Sequence, residues 1–150
     1  MLDELLTKDT IQYRDIDHLN WQEAIKVAAM PLIKNGSILP RYVESMIKIS
    51  LKEGPYFNIG PEVVLAHARP TDGSNGIALA LLKTKKDVCL INDQHPAKLW
   101  FVLAANDNQS HLMVIKELMQ LLTDKKRVDL LLNAENKQSI EKIIVEGVGK

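Results

Sequence analysis

Seven consecutive apolar residues, Leu99 to Ala105, leave this chain few ways to fold. Such a run has no polar face to turn toward water, so as a strand it must be covered on both sides. It falls far short of the ~18 residues that cross a bilayer, so protein must supply the cover. A second apolar run, Val63 to Ala66, reads as another buried strand and ends at His67. Helical patterns lie before and after these strands. The order is helices, strands, helices, less regular than βαβ alternation. The expected class is therefore α/β, with a mixed β-sheet flanked by helices on both faces.

Local signals divide the rest. Residues 2–6 form a short helix or a loose arm, and Thr10–Tyr13 a short strand. Asn20 with Glu23 three residues later predicts a capped helix start. Trp21, Ala24, Ile25, Ala28 and Leu32 then follow a helical period toward a stop at Gly36, with Pro31 kinking the helix or tightening its last turn. Pro40 opens a second helix with Val43, Met46, Ile47 and Leu51 inward, and Gly54-Pro55 ends it. Tyr56–Ile59 reads as a strand, Gly60-Pro61 as a turn and Ala68–Asn75 as a loop. Three strands follow, Gly76–Lys83, Asp87–Ile91 and Lys98–Ala104, with Lys83, Lys85 and Lys86 in a solvated turn. After the polar Asn106–Ser110, a helix over Ser110–Leu122 turns Leu112, Ile115, Leu118, Met119 and Leu122 inward. Two short helices, Lys126–Leu132 and Ser139–Glu146 with Ser139 as cap, end the chain.

With 150 residues and no repeat or linker, a single domain over 1–150 is expected. The 19 basic and 19 acidic residues cancel, which argues against a sequence-independent nucleic-acid binder. One cysteine, Cys89 in an apolar run, permits no internal disulfide and fits a reducing compartment. The acidic N-terminus is not a signal peptide. A cytoplasmic protein is expected.

Chemistry centres on histidine, which can act as acid, base or nucleophile at neutral pH. His67 sits where a buried strand leaves the sheet, between the small Ala66 and Ala68. Ligands of α/β folds gather at such ends, and Arg69 brings donors suited to phosphate. The structural alternative is a strand-end histidine bonded to a backbone carbonyl. His111 falls at a helix start, where free N–H groups favour anions; the alternative is a polar loop with a helix cap. His95 and His18 read as surface turns. No HExxH or CxxC spacing points to a metal, although a site built from His67, His95 and His111 stays open.

The segment Gly54-Pro55-Tyr56-Phe57 through Val63-Val64-Leu65-Ala66-His67-Ala68-Arg69-Pro70 to Gly73 resembles the active-site segment of fructose/mannitol-type enzyme IIA of the sugar phosphotransferase system, closest to its L-ascorbate-specific subgroup. Pro40-Arg41-Tyr42 and Asn106–Leu118 extend the likeness to roughly residues 5–145. The chain departs at Ala66, where the family has proline, and at Ile49, where mannitol-type members have arginine. The resemblance implies the enzyme IIA mannitol/fructose-type fold. It also implies catalytic roles for His67, His111 and Arg69: His67 accepts a phosphoryl group from HPr and hands it to enzyme IIB, with His111 and Arg69 in support. It implies a covalent phosphohistidine with no cofactor and no metal. The membrane enzyme IIC permease is an indirect partner, and a homodimer is compatible with the family. L-Ascorbate or a related sugar acid is the implied cargo. The alternative is a regulatory relative that signals through phosphorylated His67.

Overall fold

The computed structural model describes residues 2–148 except Asp17 and Asp93. Met1 and residues 149–150, the ends of the expected domain, lie outside the described residues, as do Asp17 and Asp93 beside His18 and His95. Helix α1 (Leu2–Leu5) leads into strand β1 (Ile11–Arg14), then α2 (Trp21–Lys34) and α3 (Pro40–Glu53). Strands β2 (Asn58–Gly60) and β3 (Glu62–His67) meet across Pro61. A 3-10 turn (Pro70–Asp72) precedes β4 (Ala78–Cys89) and β5 (Pro96–Ala104). Helices α4 (Asn108–Leu122), α5 (Lys125–Leu132) and α6 (Lys137–Val148) follow.

The expected start of α2 forms in full. Glu23 N–H donates to Asn20 Oδ1 at 2.9 Å, and Asn20 N–H to Glu23 Oε1 at 3.3 Å. Pro31 does not end the helix. It has no N–H for the carbonyl of Val27, four residues back. Gln12 of β1 fills the gap, its Nε2 donating to Val27 O at 2.6 Å. Helix α3 stops at Gly54, whose φ of +77° a side-chain-bearing residue rarely adopts.

The five strands order β1-β4-β5-β3-β2. Pairs β1–β4 and β3–β5 are parallel, whereas β4–β5 and β2–β3 are antiparallel. The sheet is mixed, as expected. Alternate residues of the long apolar run serve two cores. Trp100, Val102 and Ala104 pack with α2 and α3, whereas Leu99, Phe101 and Leu103 pack with α1, α4, α5 and α6. On β3, Val64 and Ala66 join the first core, and Val63 and Leu65 the second. The period of two then turns His67 to the α4 side.

Several expectations need correction. The two strands expected over 76–91 are one, β4, and its lysine segment is a bulge rather than a turn. The register with β5 shifts between Lys83 and Val88, leaving Lys85 and Lys86 exposed. Lys83 is buried, with Nζ donating to Thr84 O at 2.8 Å and lying 5.4 Å from the Tyr13 ring centroid. Leu51 and Leu112, expected inside, are exposed. Helix α4 buries Leu118, as expected, together with Val114 and Leu121. It starts earlier than expected because Asp107 accepts from Ser110 N–H at 2.7 Å. Asn136, not Ser139, holds the start of α6, accepting from Ser139 N–H at 2.8 Å.

Candidate functional site

His67 ends β3 paired with Leu103 of β5. Helix α4 begins a few residues beyond β5, which brings His111 back over the sheet end. The two imidazoles meet edge to face, with centroids 5.4 Å apart. Phe57, fully buried, backs His67 at 4.9 Å, and the exposed Tyr56 flanks it at 6.0 Å. Around them lies an open depression of about 240 Å³, lined by Ile49, Tyr56, Ala68, Arg69, Pro70 and Asn108 besides the two histidines.

His67 Nδ1 lies 3.1 Å from the carbonyl oxygen of Leu65. A carbonyl only accepts, so Nδ1 holds the proton of the neutral ring and Nε2 keeps its lone pair. The backbone bond that sequence reasoning set against function is thus what prepares one nitrogen for chemistry. Burial pushes the pKa of His67 down, the Leu65 carbonyl opposes the shift, and His111 adds to the lowering. Burial lowers His111 too. Both rings favour the neutral form.

Arg69 lines the depression, but its side chain is 82% exposed and its Nε lies 3.5 Å from Asp72 Oδ2. Asn108 stands in the first turn of α4, but the anion expected at this helix start is already supplied from within the chain: the Asp107 carboxylate takes the N–H groups of Gln109 and Ser110. Ile49 puts an aliphatic wall where a cation would attract phosphate. His95, just before β5, sits beyond the opposite end of the strand from Leu103, roughly 25 Å from His67 by strand rise. His18 is exposed between β1 and α2. Among the described residues, no three His, Cys, Asp or Glu side chains group as a metal site requires.

The family model of the phosphoenolpyruvate-dependent sugar phosphotransferase system, EIIA 2, matches residues 4–147. The chain belongs to this family. It is a phosphotransferase of the enzyme IIA type, whose members work through a phosphohistidine. It is 29% identical over 126 residues to the ascorbate-specific EIIA component of Escherichia coli strain K12, covering 83% of this chain and 82% of the relative. The solution structure of the mannitol-specific cryptic phosphotransferase enzyme IIA CmtB from Escherichia coli superposes with a TM-score of 0.89. It is 27% identical, with 97% of this chain and 98% of that one covered. The complex of mannitol enzyme IIA and phosphorylated enzyme IIB from Escherichia coli shares the fold at a TM-score of 0.79 and 20% identity, over 95% and 99% of the chains. The enzyme IIA type of fold expected from the resemblance is therefore present.

Sequence reasoning did not reach two parts of the site. Ile49 stood out only as a departure from the family, yet it forms a wall. Tyr42 belonged to a matching motif without a role. Its buried hydroxyl donates to Leu103 O at 2.7 Å and accepts from Ala68 N–H at 3.0 Å, with Ala68 O a further 3.2 Å contact. Burial, the largest influence, raises its pKa to about 12.

Proposed function

We propose that His67 accepts a phosphoryl group from phospho-HPr and passes it to an enzyme IIB, in the uptake of L-ascorbate or a related sugar acid. The carrying observation is the Nδ1–Leu65 bond, which leaves the lone pair of Nε2 at an open depression beside His111. In the first step this lone pair attacks phosphorus in line. An N–P bond forms, and the donor leaves with the electron pair of its own bond to phosphorus. The reverse sequence at enzyme IIB returns the lone pair to Nε2. Positioning and charge stabilisation dominate such transfers. The side chains of His111 and Asn108 are the nearby donors, with Arg69 at the rim.

Enzyme IIB as acceptor is supported by the complex that a mannitol enzyme IIA forms with phosphorylated enzyme IIB, and HPr as donor comes from the family likeness. Ascorbate is supported by the ascorbate-specific relative and by Ile49, which departs from the mannitol-type arginine. A cytoplasmic site of action fits these partners, and no helix among the described residues is long and apolar enough to cross a membrane.

The test is uptake of label from phosphoenolpyruvate through purified enzyme I and HPr, followed by addition of ascorbate-type or mannitol-type enzyme IIB. Acid-labile, base-stable label is expected on the wild type and absent from His67→Gln. Loss of label to the ascorbate-type acceptor supports the cargo assignment. Labelling of His67→Gln as fast as wild type would overturn the role of His67. Stable label that no enzyme IIB removes would point to the regulatory alternative.

A further inference from the structure

We propose that Tyr42 is a positioning residue for phosphoryl transfer, its hydroxyl standing in for the last rung of the β3–β5 ladder and setting where His67 leaves the sheet. The inference rests on the reading of His67 as phosphoryl acceptor. His67 and Leu103 are the last registered pair of these parallel strands. The next rung of a parallel ladder would run from Ala68 N–H to Leu103 C=O. Both groups instead bond the Tyr42 hydroxyl, one as donor at 3.0 Å and the other as acceptor at 2.7 Å. Two bonds in series hold the strands roughly 2 Å farther apart than one direct bond. The strands therefore part immediately after His67, and Ala68, Arg69 and Pro70 line the depression that opens there.

The hydroxyl is held from outside the sheet. Tyr42 lies in the first turn of α3, its own N–H bonded to Leu39 O at 2.9 Å, and only 1% of the residue is exposed. The ring of His67 is clamped to Leu65 O, so its aim follows the backbone of residues 65–68. Without the hydroxyl, Ala68 N–H and Leu103 C=O face a choice between two unpaired buried groups and closing on each other. Closing draws Ala68 toward β5 and re-aims Nε2. A merely structural hydroxyl would affect melting alone.

Tyr42→Phe is the test, with Gln12→Met at the far edge of the sheet as a variant of comparable destabilisation. In folded Tyr42→Phe, acceptance from phospho-HPr at saturating HPr is expected to fall by about tenfold to a hundredfold with KM unchanged, since small misplacement of reacting atoms has effects of that size. Gln12→Met is expected to transfer at the wild-type rate. The 15N signals of the His67 ring are expected to move in Tyr42→Phe and to stay in place in Gln12→Met. A folded Tyr42→Phe within about twofold of the wild-type rate overturns the proposal, that being smaller than any misplacement effect of this kind. Unmoved His67 signals overturn it as well, even if wild type takes no phosphoryl group; that last result would sink only the carrier reading. If Tyr42→Phe does not fold, amide exchange of wild type decides. Protection of Ala68 N–H supports the bridge, and exchange at the rate of an open loop overturns it.

Discussion

At His67 and His111, burial works against protonation, and in the proposed transfer the neutral ring of His67 is the nucleophile. The folded pKa of His67 is below its usual 6.5, so the reactive form persists on the acid side of that value. The rate of acceptance is expected to fall to half its plateau only below pH 6.5, as read by quenched-flow labelling. Loss to half its plateau at or above that pH would contradict the assignment. His111→Ala should fold normally and transfer about tenfold to a hundredfold more slowly, the usual effect of losing one well-placed donor; a wild-type rate would remove its supporting role. At the other end of β3, Glu62 behaves oppositely. Burial, then Asp87, raises its pKa to about 7, and its Oε2 is buried without a hydrogen bond. A carboxyl raised in the folded state favours folding when protonated, and that contribution is lost as pH rises through about 7. The melting temperature of Glu62→Gln should exceed that of wild type above neutrality and lose the difference as pH falls toward the ordinary carboxylate range. Equal melting at alkaline pH would argue against strain at Glu62. The residues with chemistry in their side chains could be read from the sequence, because histidine after an apolar run carries its own signal. Tyr42 could not, since its role lies in backbone atoms of residues 68 and 103, remote in sequence.

Elements follow local signals where one residue decides and stray where two patterns compete. The Asn20 cap and the stop at Gly54 needed only neighbours. Helix α4 has apolar residues over so wide an arc that an inward face of Leu112, Ile115, Leu118, Met119 and Leu122 read as well as one centred on Val114, Leu118 and Leu121, with Ile115 and Leu122 at its edge. Contact with the sheet turns the face toward Val114 and Leu121, keeps Leu118, and leaves Leu112 of the first turn in water. The lysines of β4 resembled a turn because composition cannot reveal a register shift or an aliphatic stem buried on one face. Pro31 is tolerated for a reason equally remote, the Gln12 side chain on Val27 O. Gln12→Met should cost about 1 kcal/mol in chemical denaturation, the usual net value of one hydrogen bond at a part-buried carbonyl. The loss should shrink in a Pro31→Ala background, where residue 31 regains an N–H for Val27. Equal losses in both backgrounds would show that the two residues are not coupled.

For the molecule as a whole, the long apolar run correctly required cover on both faces, and two cores supply it. The strand order β1-β4-β5-β3-β2 depends on pairings between distant segments that no local pattern encodes. On a chain of zero net charge, exposed apolar side chains stand next to His111, with Arg69 the cation at the rim. Leu112, Met113 and Tyr56 are 65%, 47% and 64% exposed. Their proximity to the depression suits partners that must dock and leave. Leu112→Glu should raise the KM for phospho-HPr several-fold without altering melting, about the effect of placing a charge in a small apolar contact. An unchanged KM would place docking elsewhere.

The clamp on Nδ1 and the wall of Phe57 leave His67 one way out. In the proposed relay, giver and receiver would therefore use the same doorway, and never together. Kinetics of the relay should be ping-pong, with no three-body assembly on the path. Spent donor would then linger as a competitor of the next acceptor, so flow toward the membrane would depend on how much of the HPr pool is charged, and surplus empty HPr would act as a brake.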